Sequence, residues 1–245
     1  MTSDKLKQSF ANDIATLQQI NVNAIVVHGG GPQINHMLEK LDVKTSFVDG
    51  LRVTDKQTVD VAEMVLAGSI NKDIAAAISC AGGRALGVSG RDDCLVRVQQ
   101  RDQALGFVGD PVEVRVDLLH SLLDLGITPV IAPIGADDEG AAYNVNADTM
   151  AGVIAATMGA SNLFLLTDVA GVLDGSGNLM QNLSVADAQR LIGDGVAVGG
   201  MIPKLRTAMS AVQGGVESAV VMDGRVEHCV LEHLFGTQAV GTVIS

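Results

Sequence analysis

The order of apolar and helical segments predicts an α/β fold: a three-layer αβα sandwich with a mainly parallel open sheet covered by helices on both faces. Three observations carry that prediction. Short apolar runs alternate with stretches of helical period along the chain. Several of the runs are apolar at nearly every residue, as strands covered on both faces are. The stretch "NAIVVHGGGPQI" at 23–34 turns from an apolar run into three glycines and a proline, a strand-to-helix turn.

Leu6, Phe10, Ile14 and Leu17 share one face of an opening helix, with Ser3 as its N-cap. Ala24–Val27 reads as a short buried strand, and Pro32 suits the first turn of a helix running to about Leu41. Asp49-Gly50 in "FVDGLRVT" predicts a hairpin, and Thr54 to Gln57 a capping box for the helix that follows. A further helix at 71–81 ends at Gly82-Gly83. "RALGVSG" is the next strand, and "CLVRVQQ" and "GFVGDPVEV" read as an antiparallel pair. A helix at 117–125, stopped by Gly126, leads into strand 128–132, and "NVNAD" opens a small-residue helix to about Met158. Strand 162–166, helices 184–192 and 203–213, strand 218–222 and a closing strand 241–244 complete the alternation. The boundary between two lobes sharing one sheet is expected near residue 165, giving lobes of 1–165 and 166–245.

The 245 residues are 47% hydrophobic, enough for one large domain or two closely packed lobes. Aromatics are only 2%, which leaves few platforms for stacking on bases, and the formal charge is −12. That charge argues against nucleic acid or an anionic membrane as partner, but not against a phosphate ligand, which needs only local cations and backbone N–H groups. Cys80, Cys94 and Cys229 are far apart and odd in number, which predicts free thiols in a reducing cytosol and no metal site. No signal peptide opens the chain and no apolar run approaches the roughly 18 residues that span a bilayer, so a cytoplasmic protein is expected.

Gly29, Gly30 and Gly31 lack Cβ atoms, permit close backbone approach, and are followed by a helix whose first N–H groups are free for an anion. A tight turn alone needs one glycine or two. The pattern is neither G-x-G-x-x-G nor a P-loop, because Pro32, Gln33 and Ile34 follow directly. His28 is expected to be structural, packing or hydrogen-bonding beside the turn. Arg52 is either a bidentate clamp for a carboxylate or a strand arginine paired with a neighbouring Asp. Asn144, Asn146 and Asp148 exceed the needs of one helix cap. Asn146 is the expected cap, Asn144 can bind substrate amides, and Asp148 can hold a lysine ammonium or organise a metal-bound phosphate. Thr167-Asp168 ends an apolar strand where ligands of parallel sheets sit. Lys204 is in the first turn of a helix, where a cation opposes the helix dipole unless an anion joins it.

"VVHGGGPQI", "DGLRVTD", "NVNAD", "LLTDVAGVLD" and "GGMIPKL", in this order, resemble the acetylglutamate kinase branch of the amino acid kinase family over essentially the whole chain. The resemblance implies the amino acid kinase fold and transfer of a phosphoryl group from MgATP to the γ-carboxylate of N-acetyl-L-glutamate, the second step of arginine biosynthesis. It gives Gly29 and Gly30 the transferring phosphoryl group, Arg52 the substrate α-carboxylate and Asn144 the acetylated substrate. Asp148 orients the catalytic lysines, and Lys204 neutralises charge on the ATP side. Thr167, Asp168, Gly171, Leu173 and Met201 lie around the nucleotide. The cofactors implied are ATP and Mg²⁺, and the assembly a homodimer or hexamer. A γ-carboxylate is ionised at neutral pH and is itself the nucleophile, so no strong general base is required.

The family places a strand with a lysine and a Gly-Gly turn before the helix that here begins near Ser3. This chain is therefore expected to have weak or no kinase activity, and a version extended upstream to be active; equal turnover by both refutes that. Losing one preorganised donor costs on the order of 10²–10³ in rate. The arginine-inhibited branch has an extra N-terminal helix and a late segment matched here by "EHCVLEHLFGTQAVGT", with His228, Phe235 and Gly241 retained. His233 stands for a Glu and Ala239 for a Gly, and arginine is a candidate effector. The alternatives are a sibling kinase on another carboxylate or carbamate, a non-catalytic binding subunit, and a dinucleotide-dependent oxidoreductase, for which the fingerprint is missing.

Overall fold

Most elements form where their patterns place them in the computed structural model, which describes residues 4–48, 51–236 and 240–245. Ser3, the Asp49-Gly50 turn and Ala239 lie outside the described residues. The chain divides into two units, Ile14–Met150, and Met1–Asp13 with Ala151–Ser245. Helices α1 (Asp4–Gln19) and α6 (Ala147–Thr157) each run through a division point.

In Ile14–Met150, strands β1 (Val26–Val27), β4 (Ala85–Ser89) and β7 (Thr128–Ala132) form a parallel sheet ordered β1-β7-β4. Val26 and Gly87 both pair with Val130, so the strands end together at their C-terminal side. β1 passes into α2 (Gly31–Lys40) through the glycine turn. The hairpin β2 (Phe47–Val48) and β3 (Leu51–Arg52) forms as the sequence predicts. The expected antiparallel pair is β5 (Val96–Gln100) with β6 (Gly109–Val114). Two short strands extend that sheet: β8 (Ile134–Ala136), parallel to β5, and β9 (Ala142–Asn144), antiparallel to β8. Leu38, Val59, Leu66 and Ile134 lie at the centre of this unit's core. Burying such a side chain fully stabilises the fold by about 1.5–3 kcal/mol over leaving it exposed.

The next helix, α3 (Lys56–Glu63), is capped one residue later than its sequence suggests. The Asp55 carboxylate accepts the Thr58 N–H at 2.7 Å, whereas Thr54 is buried and donates its hydroxyl to the Arg52 carbonyl. Thr54 is committed to a ladder, bonding Leu105 and Phe107 through its backbone, and so cannot serve as the cap. After α3 the helix widens into a π-helical segment, Met64–Ile70, and then continues as α4 (Asn71–Cys80). Helix α5 (Asp117–Asp124) ends at Gly126, which takes a positive φ of 66°.

The other unit builds its own sheet, ordered β10-β12-β13-β11, from β10 (Asn162–Thr167), β11 (Asn182–Leu183), β12 (Ser218–Asp223) and β13 (Thr242–Ile244). β10 and β12 are parallel, as are β11 and β13, and β13 is antiparallel to β12. The ladders thus belong to one unit or the other, and a single sheet shared by both is not among the described pairings. Helix α7 (Val185–Gly193) has a full capping box from Ser184 and Asp187. Helix α8 (Met201–Gln213) packs Leu205, Ala208 and Met209 into a core with Leu163, Leu165 and Val221. A short helix, α9 (Cys229–Phe235), follows His228, whose φ is 59°. Among the described residues no helix is long and apolar enough to cross a membrane.

Candidate active site

The glycine turn sits at the C-terminal end of β1, where ligands of parallel sheets are received. Among the described residues, the backbone N–H groups of Gly29, Gly30, Gly31 and Gln33 have no protein acceptor, and the first helical bond is Ile34 N–H to the Gly30 carbonyl. No side chain caps α2. Its N-terminal dipole and N–H groups are therefore available to an anion. A Cβ on Gly30 would lie 2.4 Å from Ile70 Cδ1 and 2.8 Å from Leu66 Cδ2, so the ends of both side chains would have to shift to admit one. A Cβ on Gly29 would face Ala147 at 3.7 Å, so the first turn of α6 lies beside the glycines.

Arg52 reaches the same turn. Its Nη2 donates to the Gly31 carbonyl at 3.4 Å and its Nη1 to Thr45 Oγ1 at 3.2 Å, while the guanidinium lies over the Phe47 ring at 4.7 Å. Only 6% of the residue is exposed. Among the described residues no carboxylate pairs with it, which removes the reading of Arg52 as an ordinary strand ion pair. Burial pushes its pKa down, but a guanidinium stays charged at neutral pH. A buried cation with unused donors beside free backbone N–H groups is a receptor for anions.

Asn146 caps α6, its Oδ1 accepting the Thr149 N–H at 3.0 Å. Asn144 lies at the end of β9, its N–H bonded to the Phe107 carbonyl, and its side chain is half-buried. Asp148, in the first turn of α6, is also half-buried and engaged. Gly29, Gly30, Arg52, Asn144 and Asp148 therefore all belong to Ile14–Met150.

Thr167, Asp168, Gly171, Leu173, Met201 and Lys204 all belong to Ala151–Ser245. The Thr167 hydroxyl donates to Asp168 Oδ1 at 3.3 Å at the end of β10. Gly171 has a φ of 152°, and a Cβ there would lie 2.6 Å from Thr242 Oγ1. That hydroxyl accepts the Val172 N–H at 2.8 Å, tying the loop to β13. Leu173 is exposed, and Met201 and Lys204 open α8, whose N-terminus has no side-chain cap. Lys204 is half-buried and engaged.

A model of the amino acid kinase family matches residues 1–223. The chain belongs to the amino acid kinase family. An acetylglutamate kinase from Rhodospirillum centenum is 53% identical over 257 aligned positions, covering 100% of this chain and 84% of the relative. Two solved structures share the family's fold at lower identity. One is an N-acetylglutamate synthase from Neisseria gonorrhoeae complexed with coenzyme A and N-acetyl-glutamate, with a TM-score of 0.88 at 23% identity, covering 99% of this chain and 56% of that one. The other is carbamate kinase from Giardia lamblia bound to AMP-PNP, with a TM-score of 0.71 at 18% identity, covering 96% and 88%.

Two groups in this family member escape a linear reading. Arg225 grips Asp223 at the end of β12 through bonds of 2.9 and 2.8 Å, beside β10, whose last residue Thr167 precedes Asp168. The bond to Asp223 raises the arginine's pKa, and the charge of Asp168 adds to it. The rule that ligands gather at strand C-termini points to this pair, though no local motif does. Asn71, the first residue of α4, reaches His28 from far along the chain; its only sequence signal is an amide amid apolar helix positions.

Proposed function

We propose that this chain is an acetylglutamate kinase, moving the γ-phosphoryl group of MgATP onto the γ-carboxylate of N-acetyl-L-glutamate. The observation that carries the reading is Arg52, a buried guanidinium without a carboxylate partner among the described residues, in hydrogen-bond reach of the glycine turn. The guanidinium binds the substrate α-carboxylate, and Asn144 binds the acetylated amide. The N–H groups of Gly29 and Gly30 receive the phosphoryl group in transit. Asp148 orients cationic side chains, and Lys204 neutralises charge as the bridging bond to ADP breaks. Thr167, Asp168, Gly171, Leu173 and Met201 receive the nucleotide. Mg²⁺ arrives with ATP, bound through phosphates and water.

The chemistry asks for little acid–base work. The attacking carboxylate is ionised at neutral pH, and the γ-phosphoryl group passes to it as the bond to the ADP oxygen breaks. The barrier lies in bringing two anions into line, which fixed N–H groups and cations lower. Kinship with acetylglutamate kinases at about half identity supports this acceptor over a carbamate or another carboxylate.

ADP release followed by a coupled assay tests the reading, with N-acetylglutamate, glutamate and carbamate offered in turn. N-acetylglutamate is expected to give the highest kcat/KM, and a preference for either rival overturns the proposal. A homodimer or hexamer and a response to arginine belong to the same proposal; light scattering and inhibition by added arginine test them.

A further inference from the structure

His28 and Asn71 lie in the strand-and-helix layer directly behind the glycine turn, and both are buried, at 7% and 0% exposure. The Asn71 side-chain nitrogen faces the Val130 carbonyl at 2.8 Å, the Val88 carbonyl at 3.2 Å and His28 Nε2 at 3.2 Å. Two carbonyl oxygens fix that atom as the amide nitrogen, since only a donor can face them. Lys72 Nζ donates to Asn71 Oδ1 at 3.1 Å and to the Gly87 carbonyl at 2.6 Å, which fixes the other end of the amide. Asn71 thus joins β7, β4 and the end of β1 at the edge where the glycines begin.

The surroundings set the histidine. The Gly29 carbonyl can only accept, so Nδ1, 3.1 Å from it, carries the proton, and Nε2 is left to accept from the Asn71 amide, whose two hydrogens are shared among Nε2 and the two carbonyls. Burial pushes the imidazole pKa below 6.5, so the ring is neutral and this tautomer is the relevant one. The Gly29 carbonyl and the Gly30 N–H belong to one planar trans peptide and point in opposite directions. Holding the carbonyl toward His28 therefore turns the Gly30 N–H away from His28, and among the described residues no protein acceptor takes it. The π-helical segment supplies the third constraint. Its Leu66 and Ile70 close over Gly30, and its end delivers Asn71 to the strands. One extra residue in a helical turn rotates everything after it by about 100°, so the same sequence wound as an α-helix would present another residue there.

We propose that Asn71 is a positioning residue for phosphoryl transfer: acting through His28, it fixes the peptide plane that aims the Gly30 N–H at the group in transit. The inference rests on the proposed phosphoryl-binding role of the glycine turn. Gly87 belongs to the same device, since a Cβ there would lie 2.0 Å from Asn71 Oδ1.

The test pairs two substitutions of His28 with one of Asn71. His28→Asn keeps a donor near the place of Nδ1, whereas His28→Gln puts its amide near the place of Nε2. The former is expected to hold kcat within about threefold of the parent, and the latter and Asn71→Leu to lower it at least about tenfold, with smaller changes in KM. Nitrogen-15 spectra of the histidine rings and glycine amides are read on the same proteins without substrate. The parent is expected to show His28 as the pure Nδ1–H tautomer, and Asn71→Leu to show a tautomer mixture and a displaced Gly30 amide. If Asn71→Leu fails to fold, the two His28 variants decide. Equal kcat in both His28 variants, an Nε2–H tautomer in the parent, or an unmoved Gly30 amide in folded Asn71→Leu overturns the inference. A parent that phosphorylates nothing bears on the reaction and not on this inference, which the ring and amide spectra, read without turnover, then decide.

Discussion

Replacing Arg52 by Met should uncouple stability from affinity. A guanidinium carries five N–H donors, and among the described residues Arg52 uses two of them, at 3.2 and 3.4 Å, on neutral oxygens. Desolvating a charge costs several kcal/mol, and bonds to charged groups return about 1.5–3 kcal/mol each at good geometry, less at these lengths. Contact with the half-exposed Phe47 ring adds about 0.5–1 kcal/mol. The balance leaves the ligand-free protein little stabilised by its own arginine. Arg52→Met is therefore expected to leave unfolding stability unchanged or to raise it by up to about 1–4 kcal/mol. The bound substrate meets the opposite effect. A carboxylate left without its buried partner loses about 2–5 kcal/mol, so the KM for N-acetylglutamate should rise roughly 30- to 5,000-fold, with a much smaller change in kcat. Differential scanning calorimetry with and without N-acetylglutamate measures both halves. At a hundredfold excess over Kd the parent should gain about 2.7 kcal/mol, and the variant at most about 0.9 kcal/mol at the same concentration. A variant that unfolds more easily without ligand and keeps the parent's KM would refute the reasoning and make Arg52 a structural residue.

Ser184→Ala breaks the capping box of α7 and should lower stability by about 0.5–2 kcal/mol without altering turnover, as read from urea midpoints and ADP release. Gly171→Ala forces a side chain against Thr242 Oγ1 at 2.6 Å and should cost about 1–3 kcal/mol while weakening ATP binding by calorimetry; unchanged ATP affinity would remove the loop from the nucleotide site. Asp13 and His228, bonded at 2.5 Å, give a pH dependence of defined sign. The bond to Asp13 raises the histidine pKa above 6.5, so its stabilisation is complete below 6.5 and is lost as pH rises through the elevated value. Burial outweighs the histidine and raises Asp13 above 3.8, so that carboxyl also gives up stability as pH rises from 3.8 through its own elevated value. His228→Gln should flatten the upper part of that slope, above 6.5, in melting temperatures measured against pH.

What the sequence makes legible is what local physics decides. Gly126 and Asn146 act on their own neighbours, and the helix stop and the cap they predict form as written. Thr54 and Asp55 are both capping residues, and only the ladder bonds of Thr54 to Leu105 and Phe107 select the second. β8 and β9 are three residues each, too short for alternation to register. The π-helical winding of Met64–Ile70 has no period of its own in the sequence. Helix α9 starts from His228 in a left-handed conformation, without a capping side chain to announce it. In the candidate site, Gly29, Gly30 and Arg52 stand out because their chemistry is unusual where they lie. Asn71 and His28 do not, because their meaning is their pairing across the sheet.

β13 has one more consequence, which concerns the order in which the protein is made. Within its sheet it stands between β12 and β11, and β11 pairs with nothing else among the described residues. A ribosome emits β11 long before β13. The Gly171 loop waits too, since its latch is the Thr242 hydroxyl. The sheet β1-β7-β4, by contrast, has all its strands once Ala132 has emerged. During synthesis the half that carries Arg52 and the glycine turn can be finished while the half that carries Gly171 is still an open ladder, and nascent chains stalled before Thr242 should be cleaved by protease preferentially around β11 and that loop.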